Sequence, residues 1–418
     1  MGTIDVPPPP PEVVGTPAEP PDYAMLEREL GRAQAEEVIR EFERAEAMSQ
    51  IARYRHYIAK NHHKLKNGKD LDFDKYPFAV ELYSCDAQSM VVSGSVQWGK
   101  TEFALVTCAA MAGYGLKVFF VFSKIEKRNK VVADRIDPAF ASIPLYRAMS
   151  EGARKERKAL ADSTGLKHFG KGGINFVGSN SEKDFTSFDA DVAVIDEHQE
   201  CDQDNISGVF ERMSGSPYRF QIILGNPRLT GTRENNNLDW QYQQSDQRQW
   251  HVPCDHCGHL QVLDWWQHFI EEKKSATGAI LSIDARDSEW DAEGVLDMRP
   301  ICLMCKRPMD RLNRDGRWVA RNPGHRRRGY NLSNLYNVNV RMGGPDSLLE
   351  RYISAQYSPL NLAKFWNDQL GLAFTQDGTN ITDRMLAQAS TGEGCNLPPY
   401  QFTPGNQLKW NALDTEAA

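Results

Sequence analysis

The sequence predicts an α/β fold with a mainly parallel sheet, and two observations carry that prediction. Five short apolar runs, QSMVVS at 88–93, KVFFVF at 117–122, INFVG at 174–178, DVAVID at 191–196 and FQIILG at 220–225, are separated by segments long enough for helices. Continuous rather than alternating apolar runs suit strands buried on both faces. The second observation is a glycine-flanked turn directly after the first run, followed by the helix-like stretch TEFALVTCAAMA. The sheet is expected to end near residue 230.

A chain of 418 residues has room for two or three domains. With 40% apolar and 25% charged residues it reads as an ordinary globular chain, neither fibrous nor wholly disordered. No apolar run approaches the ~20 residues that span a bilayer, and the start MGTIDVPPPPP lacks the basic and apolar parts of a signal peptide. A cytosolic chain without a membrane partner is expected.

Residues 1–22 read as a flexible Pro-rich arm with little to bury. In the N-terminal region 23–75, Leu26, Leu30, Ile39, Phe42, Ile51, Tyr54 and Ile58 recur at roughly helical spacing, which predicts one long amphipathic helix or two with a break at Gly31. The charges Arg53, Arg55, Lys60, Lys64, Lys66 and Lys69 read as a solvated face. The net charge of −7 resides in the first fifty residues, so the remainder is neutral on balance. From Cys302 to Tyr330, nine basic residues face two acidic ones. Such an excess attracts a polyanion, and Arg314, Arg317, Arg326, Arg327 and Arg328 are the candidates for contact with DNA phosphates.

Gly94-Ser95-Val96-Gln97-Trp98-Gly99-Lys100-Thr101 fits G-x-x-x-x-G-K-[ST] at every required position, between a strand and a helix as the chemistry demands. The glycines let the backbone wrap the phosphates of ATP with its N–H groups, and the helix start adds its positive dipole end. Lys100 is expected to reach the β- and γ-phosphates, and Thr101 to put a hydroxyl on Mg²⁺. The run ending in Asp196-Glu197 delivers two carboxylates to the sheet end: Asp196 to hold Mg²⁺, Glu197 to act as general base on water. Gly225-Asn226-Pro227 at the tip of the last run either senses the γ-phosphate or forms a simple turn. The phosphate loop has no arginine, so a finger must come from elsewhere, with Arg135 and Arg212 as candidates in this chain.

Eight cysteines in a cytosolic-looking chain argue against a disulfide framework. Cys254-Asp-His-Cys257 and Cys302-Leu-Met-Cys305 are two C-x-x-C knuckles, the spacing that closes a tetrahedral Zn²⁺ site. The 44 residues between them require an inserted hairpin or subdomain. His256 and His259 read as surface or supporting groups, and a redox C-x-x-C is the competing reading.

Taken together, residues 76 to about 376 resemble the large terminase subunit of tailed phages, of the lambda-type (GpA) family. VSGSVQWGKTE, ADRIDP with Arg135 and Asp137, VAVIDE, ILGNP, SDQRQWHVPCDHCGH, CLMC, DGRW, GYNLSNLY and FWNDQLGLAF occur in that family's order. The resemblance implies a P-loop NTPase (ASCE/RecA-like) core at 76–249, a zinc-binding basic subdomain at 250–330, a C-terminal part of the ATPase region at 331–390 and a tail at 391–418. It implies a DNA-packaging ATPase acting as a homo-oligomeric ring on the portal protein of a procapsid, with double-stranded DNA and the small terminase subunit as partners, in the host cytoplasm. Two departures stand out: the coupling segment lacks the family's Ser/Thr-rich form, and the residues after the match are too few for an RNase H-like nuclease. No DNA cutting is expected of this chain: either it is the ATPase part of a longer protein, or the nuclease is a separate chain. Asp196-Glu197-His198-Gln199 also reads as a DExH box, so a superfamily 2 helicase is one alternative. A non-catalytic zinc protein that docks on DNA is another.

Overall fold

The computed structural model describes residues 20–156, 163–233, 236–275, 280–290, 296–374, 400–403 and 407–410, apart from 182, 184, 186 and 187. The expected Pro-rich arm lies almost wholly, and the tail mostly, outside the described residues. Strands Ser89–Gly94 (β1), Lys117–Phe122 (β2), Leu166–Phe169 (β3), Gly172–Gly178 (β4), Val192–Ile195 (β5) and Phe220–Gly225 (β6) follow one another along the chain. All but β3 cover the apolar runs. Pairing is parallel throughout β1–β6–β5–β2–β4, and only β3 runs antiparallel, on β4. The C-terminal ends of β1, β6, β5 and β2 therefore share one edge, where loops meet in this class of sheet.

Side chains alternate between the two faces of the sheet. Met90, Val92, Phe120 and Phe122 pack to one side, and Val91, Phe119, Val121, Ala193 and Ile195 to the other. Both faces are covered, which is why the runs are apolar without interruption. The N-terminal helices are Tyr23–Leu30 (α1) and Arg32–Asn61 (α2), broken at Gly31, where φ is 82°. The side chain of Asp22 caps α1 by accepting from the N–H groups of Ala24 and Met25. Phe78–Ser84 (α3) and Lys100–Tyr114 (α4) follow. Every residue of α4 from Phe103 to Ala112 is buried, between the sheet and α2. Ile125–Val131 (α5) comes directly after β2.

The sheet does not end near residue 230. Arg248–Pro253 (β7), Leu260–Gln261 (β8), Arg317–Ala320 (β13) and Arg327–Leu332 (β14) extend it past β1 to ten strands, in the order β13–β7–β14–β1 with β8 beside β7. β14 pairs parallel with β1 and straddles the boundary expected at 330/331. Its sequence, RRGYNL, looks too polar for a sheet interior. Neighbours satisfy it: Arg327 donates to Ser89 and Gln241, and Arg328 to Asp246. The carboxylate of Asp246 is fully buried and also receives Arg248 Nε at 2.7 Å and the N–H of Gly329 at 2.8 Å. Gly329 admits no side chain, because a Cβ would lie 1.8 Å from Ser245 Oγ. Arg327 and Arg328 thus bond to the sheet, although both stay partly exposed. Arg314, Arg317 and Arg326 are exposed.

Between β8 and β13 lie two antiparallel hairpins, Ile270–Lys274 (β9) with Ile280–Ala285 (β10), and Ser288–Trp290 (β11) with Leu296–Met298 (β12). They fill the long span between the knuckles. The described residues hold no second parallel sheet, as a two-lobed helicase requires. No helix among them is long and apolar enough to cross a membrane.

One charge of the N-terminal region is not solvated. Arg53, Lys60, Lys64, Lys66 and Lys69 are exposed or partly so, but Arg55 is 1% exposed. Its guanidinium donates to the carbonyls of Tyr83 (2.8 Å), Leu82 (3.2 Å) and Cys85, tying α2 to the end of α3. Burial lowers its pKa. Removing it strands three buried acceptors, so Arg55→Ala is expected to cost about 3–5 kcal/mol. Arg53→Ala, on the exposed side, is expected to change stability by less than about 0.5 kcal/mol. Urea unfolding of the two variants checks the contrast.

Candidate functional site

The loop after β1 is held from behind. The N–H of Ser95 donates to Leu332 O (2.9 Å) at the end of β14, and that of Val96 to Asp368 O (2.8 Å) in the turn Phe365–Leu370. A Cβ on Gly94 would meet Leu332 O at 2.4 Å, and one on Gly371 would meet Ser95 N at 2.6 Å. Gln97 (φ 68°) and Gly99 (φ 98°) are left-handed, which turns the chain into α4. The N–H groups of Gly99, Lys100 and Thr101 have no acceptor among the described residues. They sit at the start of a fifteen-residue helix, a ready position for an anion.

Lys100 Nζ donates to Gly94 O (3.2 Å) and to Ser95 O, and lies 5.2 Å from the centre of the Trp98 ring. Burial pushes its ammonium down to about 7, against the opposing charges of Asp196 and Asp368. Thr101 Oγ1 donates to Asp196 Oδ2 at 3.0 Å, across the intervening strand β6. Burial raises the Asp196 carboxyl, while the Thr101 bond and Lys100 oppose the rise. A hydroxyl and a buried carboxylate in contact, with lysine nearby, are a donor set suited to a divalent cation.

Glu197 is left-handed (φ 53°), and its N–H is held by Asp196 Oδ1 at 3.0 Å. Its carboxylate contacts Lys127 Nζ, on α5. Asp196, Glu197, Lys100 and Thr101 are therefore brought together. Asn226 joins them: its N–H donates to Gln199 Oε1 at 3.1 Å, and its Nδ2 is buried without a partner among the described residues. A Cβ on Gly225 would lie 2.1 Å from Gln199 Oε1, so that glutamine reads the backbone of the Gly225-Asn226-Pro227 segment. Arg135 lies 3.9 Å from Glu102, in the first turn of α4. Arg212 does not come near: its carbonyl accepts from Ala190, ahead of the opposite end of β5. His198 is buried, and burial pushes it down to about 4, so it is neutral at physiological pH.

Two cavities flank the loop. One of about 520 Å³ opens at the strand ends between Val96, Lys127, Glu197, Asn226, Arg228 and Asp368. The other, of about 340 Å³, lies by Gln97, Trp98 and Glu102, with Tyr76, Phe78 and Tyr83 in its wall. The sequence reading missed Lys127, Arg228 and Asp368, and took Gln199 only as the last residue of a DExH box. Arg228 pairs with Glu200 (2.9 Å) and faces Asp368 (3.9 Å). Arg228 borders the Gly225-Asn226-Pro227 segment already named, and that adjacency was the available signal. Lys127 and Asp368 reach the site only through tertiary packing.

The four cysteines converge at the edge of the sheet. Cys254, Cys257, Cys302 and Cys305 bring their sulfurs within 4.8 Å of one another, with Cys254–Cys305 and Cys257–Cys302 each 3.7 Å apart. Zn–S bonds of about 2.3 Å in a tetrahedron set sulfurs about 3.8 Å apart, so the cluster fits zinc. Each knuckle closes the same way. Gly258 N–H donates to Cys254 O and Lys306 N–H to Cys302 O, and both donors are left-handed. His256 and His259 do not belong to the group.

A parallel sheet whose edge gathers a phosphate loop, a buried aspartate and an adjoining glutamate defines a P-loop nucleotide-binding fold. Residues 68–293, over half the chain, match the family of the phage terminase large subunit gpA, ATPase domain, and the chain belongs to that family. No curated protein matches it. Among solved structures, a point mutant of the large terminase ATPase domain of Thermus phage P74-26 is similar at 10% identity and TM-score 0.39, covering 74% of this chain and 96% of that one. The large terminase of another thermophilic bacteriophage, in complex with ADP, is similar at 10% identity and TM-score 0.26, covering 56% of this chain and 64% of that one.

If the cluster holds metal, the purified chain is expected to carry about one zinc per molecule by elemental analysis, and Cys302→Ser to lower that content and the melting temperature together.

Proposed function

We propose that this chain is the ATP-hydrolysing part of a viral DNA-packaging motor that moves double-stranded DNA into a procapsid. The observation that carries the reading is the meeting, at one sheet edge, of three N–H groups without an acceptor among the described residues with Lys100, Thr101, Asp196 and Glu197. The loop Gly94 to Thr101 wraps the phosphates with its N–H groups, and Lys100 adds a charge to the β- and γ-phosphates. Thr101 and Asp196 hold Mg²⁺, which when bound neutralises charge on the phosphates. Glu197 takes the proton of the attacking water. The aromatic wall of Tyr76, Phe78, Tyr83 and Trp98 suits the base of ATP. Arg135, beside α4, or an arginine from a neighbouring subunit supplies the remaining charge. Asn226 reports γ-phosphate through Gln199.

The cysteine cluster has no open position for a fifth ligand, so zinc there is structural. Arg314, Arg317 and Arg326 contact DNA phosphates without reading sequence. A homo-oligomeric ring on the portal protein and the small terminase subunit complete this reading.

Glu197→Gln is expected to lower DNA-stimulated ATP hydrolysis at least about 100-fold with nucleotide binding retained, and Lys100→Ala to abolish binding. Hydrolysis that survives either change overturns the proposal. Lys100 predicts a proton linkage as well. Its ammonium sits at about 7 in the free protein, and bound phosphate raises it, so nucleotide binding takes up a proton. Between about pH 7 and pH 9, affinity is expected to fall as pH rises, by at most tenfold per unit. Calorimetry in buffers of different ionisation enthalpy measures the uptake.

A further inference from the structure

The motif FWNDQLGLAF closes on the phosphate loop from the far end of the chain. Its turn Phe365–Leu370 holds Asp368 in place: Asp368 O accepts from the N–H of Val96 (2.8 Å), and the neighbouring Asn367 donates to the carbonyls of Arg228 and Leu372, both at 2.8 Å. The Asp368 side chain, 30% exposed, thereby lines the cavity of about 520 Å³ at the strand ends. That cavity is rich in acids for a place that takes phosphate. Glu197 is met by Lys127 and Glu200 by Arg228 at 2.9 Å, whereas Lys124 and Glu126 are exposed. Asp368 is left over: its carboxylate has no hydrogen-bond partner among the described residues and faces Arg228 at 3.9 Å, beyond hydrogen-bond reach. It also lies near enough to Lys100 to support the charge of that ammonium.

We propose that Asp368 sets how firmly the site holds nucleotide: a negative charge without a close cation, fixed beside the phosphate loop, weakens binding and hastens the departure of ADP. The proposal rests on the nucleotide site proposed above and adds to it a residue that acts on release. Like charges in a partly enclosed cavity repel over several ångströms, and a nucleotide brings its phosphates into the space this carboxylate faces. Lys100 and the loop N–H groups attract the same phosphates. The balance of the two lets the site fill and also empty, as a repeating cycle requires.

Binding of a fluorescent ADP analogue with Mg²⁺ tests it. The measurement is made near about pH 6, below the value of about 7 for Lys100, so that loss of the lysine's own proton does not mask the change. Asp368→Asn keeps the backbone carbonyl that holds Val96 and removes only the charge. It is expected to tighten binding about five- to tenfold, with dissociation in stopped flow slowed by a similar factor, and Asp368→Glu to stay within about twofold of wild type. The gain is expected to shrink in high salt, which screens a charge but not a packing change. Unchanged or weaker binding by Asp368→Asn, tightening without slower dissociation, or a gain indifferent to salt each overturns the proposal. Absence of binding by wild type overturns the nucleotide reading along with it, so the two failures are told apart. The hydrogen bonds to residue 368 run through its backbone carbonyl, so both variants are expected to melt like wild type, which thermal unfolding checks.

Discussion

The two hydrogen bonds that hold the phosphate loop from behind are the constraint on which the site depends. A turn with left-handed residues at Gln97 and Gly99 is not a conformation the chain keeps unaided. Leu332 and Asp368 accept the N–H groups of Ser95 and Val96, and those anchors fix the loop with its later N–H groups facing open space. Because the anchors come from β14 and from the turn at 365–370, the loop's conformation rests on contacts with the distant half of the chain. This explains the close backbone packing at Gly94 and Gly371, where even a methyl group does not fit.

The same half of the chain carries the cysteine cluster. The first knuckle begins where β7 ends, β8 pairs back on β7, and β13 leaves the insertion to rejoin the sheet. The buried Asp246, with Arg248, Arg328 and the N–H of Gly329 around it, then fastens β7 to β14. The cluster and the phosphate loop are thereby attached to one continuous hydrogen-bonded ladder, β7–β14–β1. A displacement at either end meets a closely packed sheet rather than a hinge.

At the open edge the charges are arranged in pairs that bridge separate elements. Thr101 reaches Asp196 across β6, Lys127 reaches Glu197 from α5, and Arg228 links Glu200 to Asp368. Arg228 O also accepts from Asn367 and Phe374, so the segment after β6 and the turn that anchors the loop move as neighbours. The ion pairs among these contacts are partly exposed, the kind that exchange partners readily.

Much of this was legible in the residues alone. Apolar runs fixed the parallel strands because a strand covered on both faces must be apolar throughout, and β2 and β6 match their runs residue for residue. The phosphate loop, the acid pair and the cysteine knuckles were legible because each is a short local pattern whose spacing its chemistry dictates. Tertiary structure alone decided that RRGYNL is a central strand, that Arg55 is buried, that Arg327 and Arg328 serve the sheet, and that Lys127 and Asp368 belong to the site. In each case the deciding partner is distant in sequence or lies on another element. A charge looks solvated until the carbonyl or carboxylate that satisfies it is known, and only the folded chain supplies that partner.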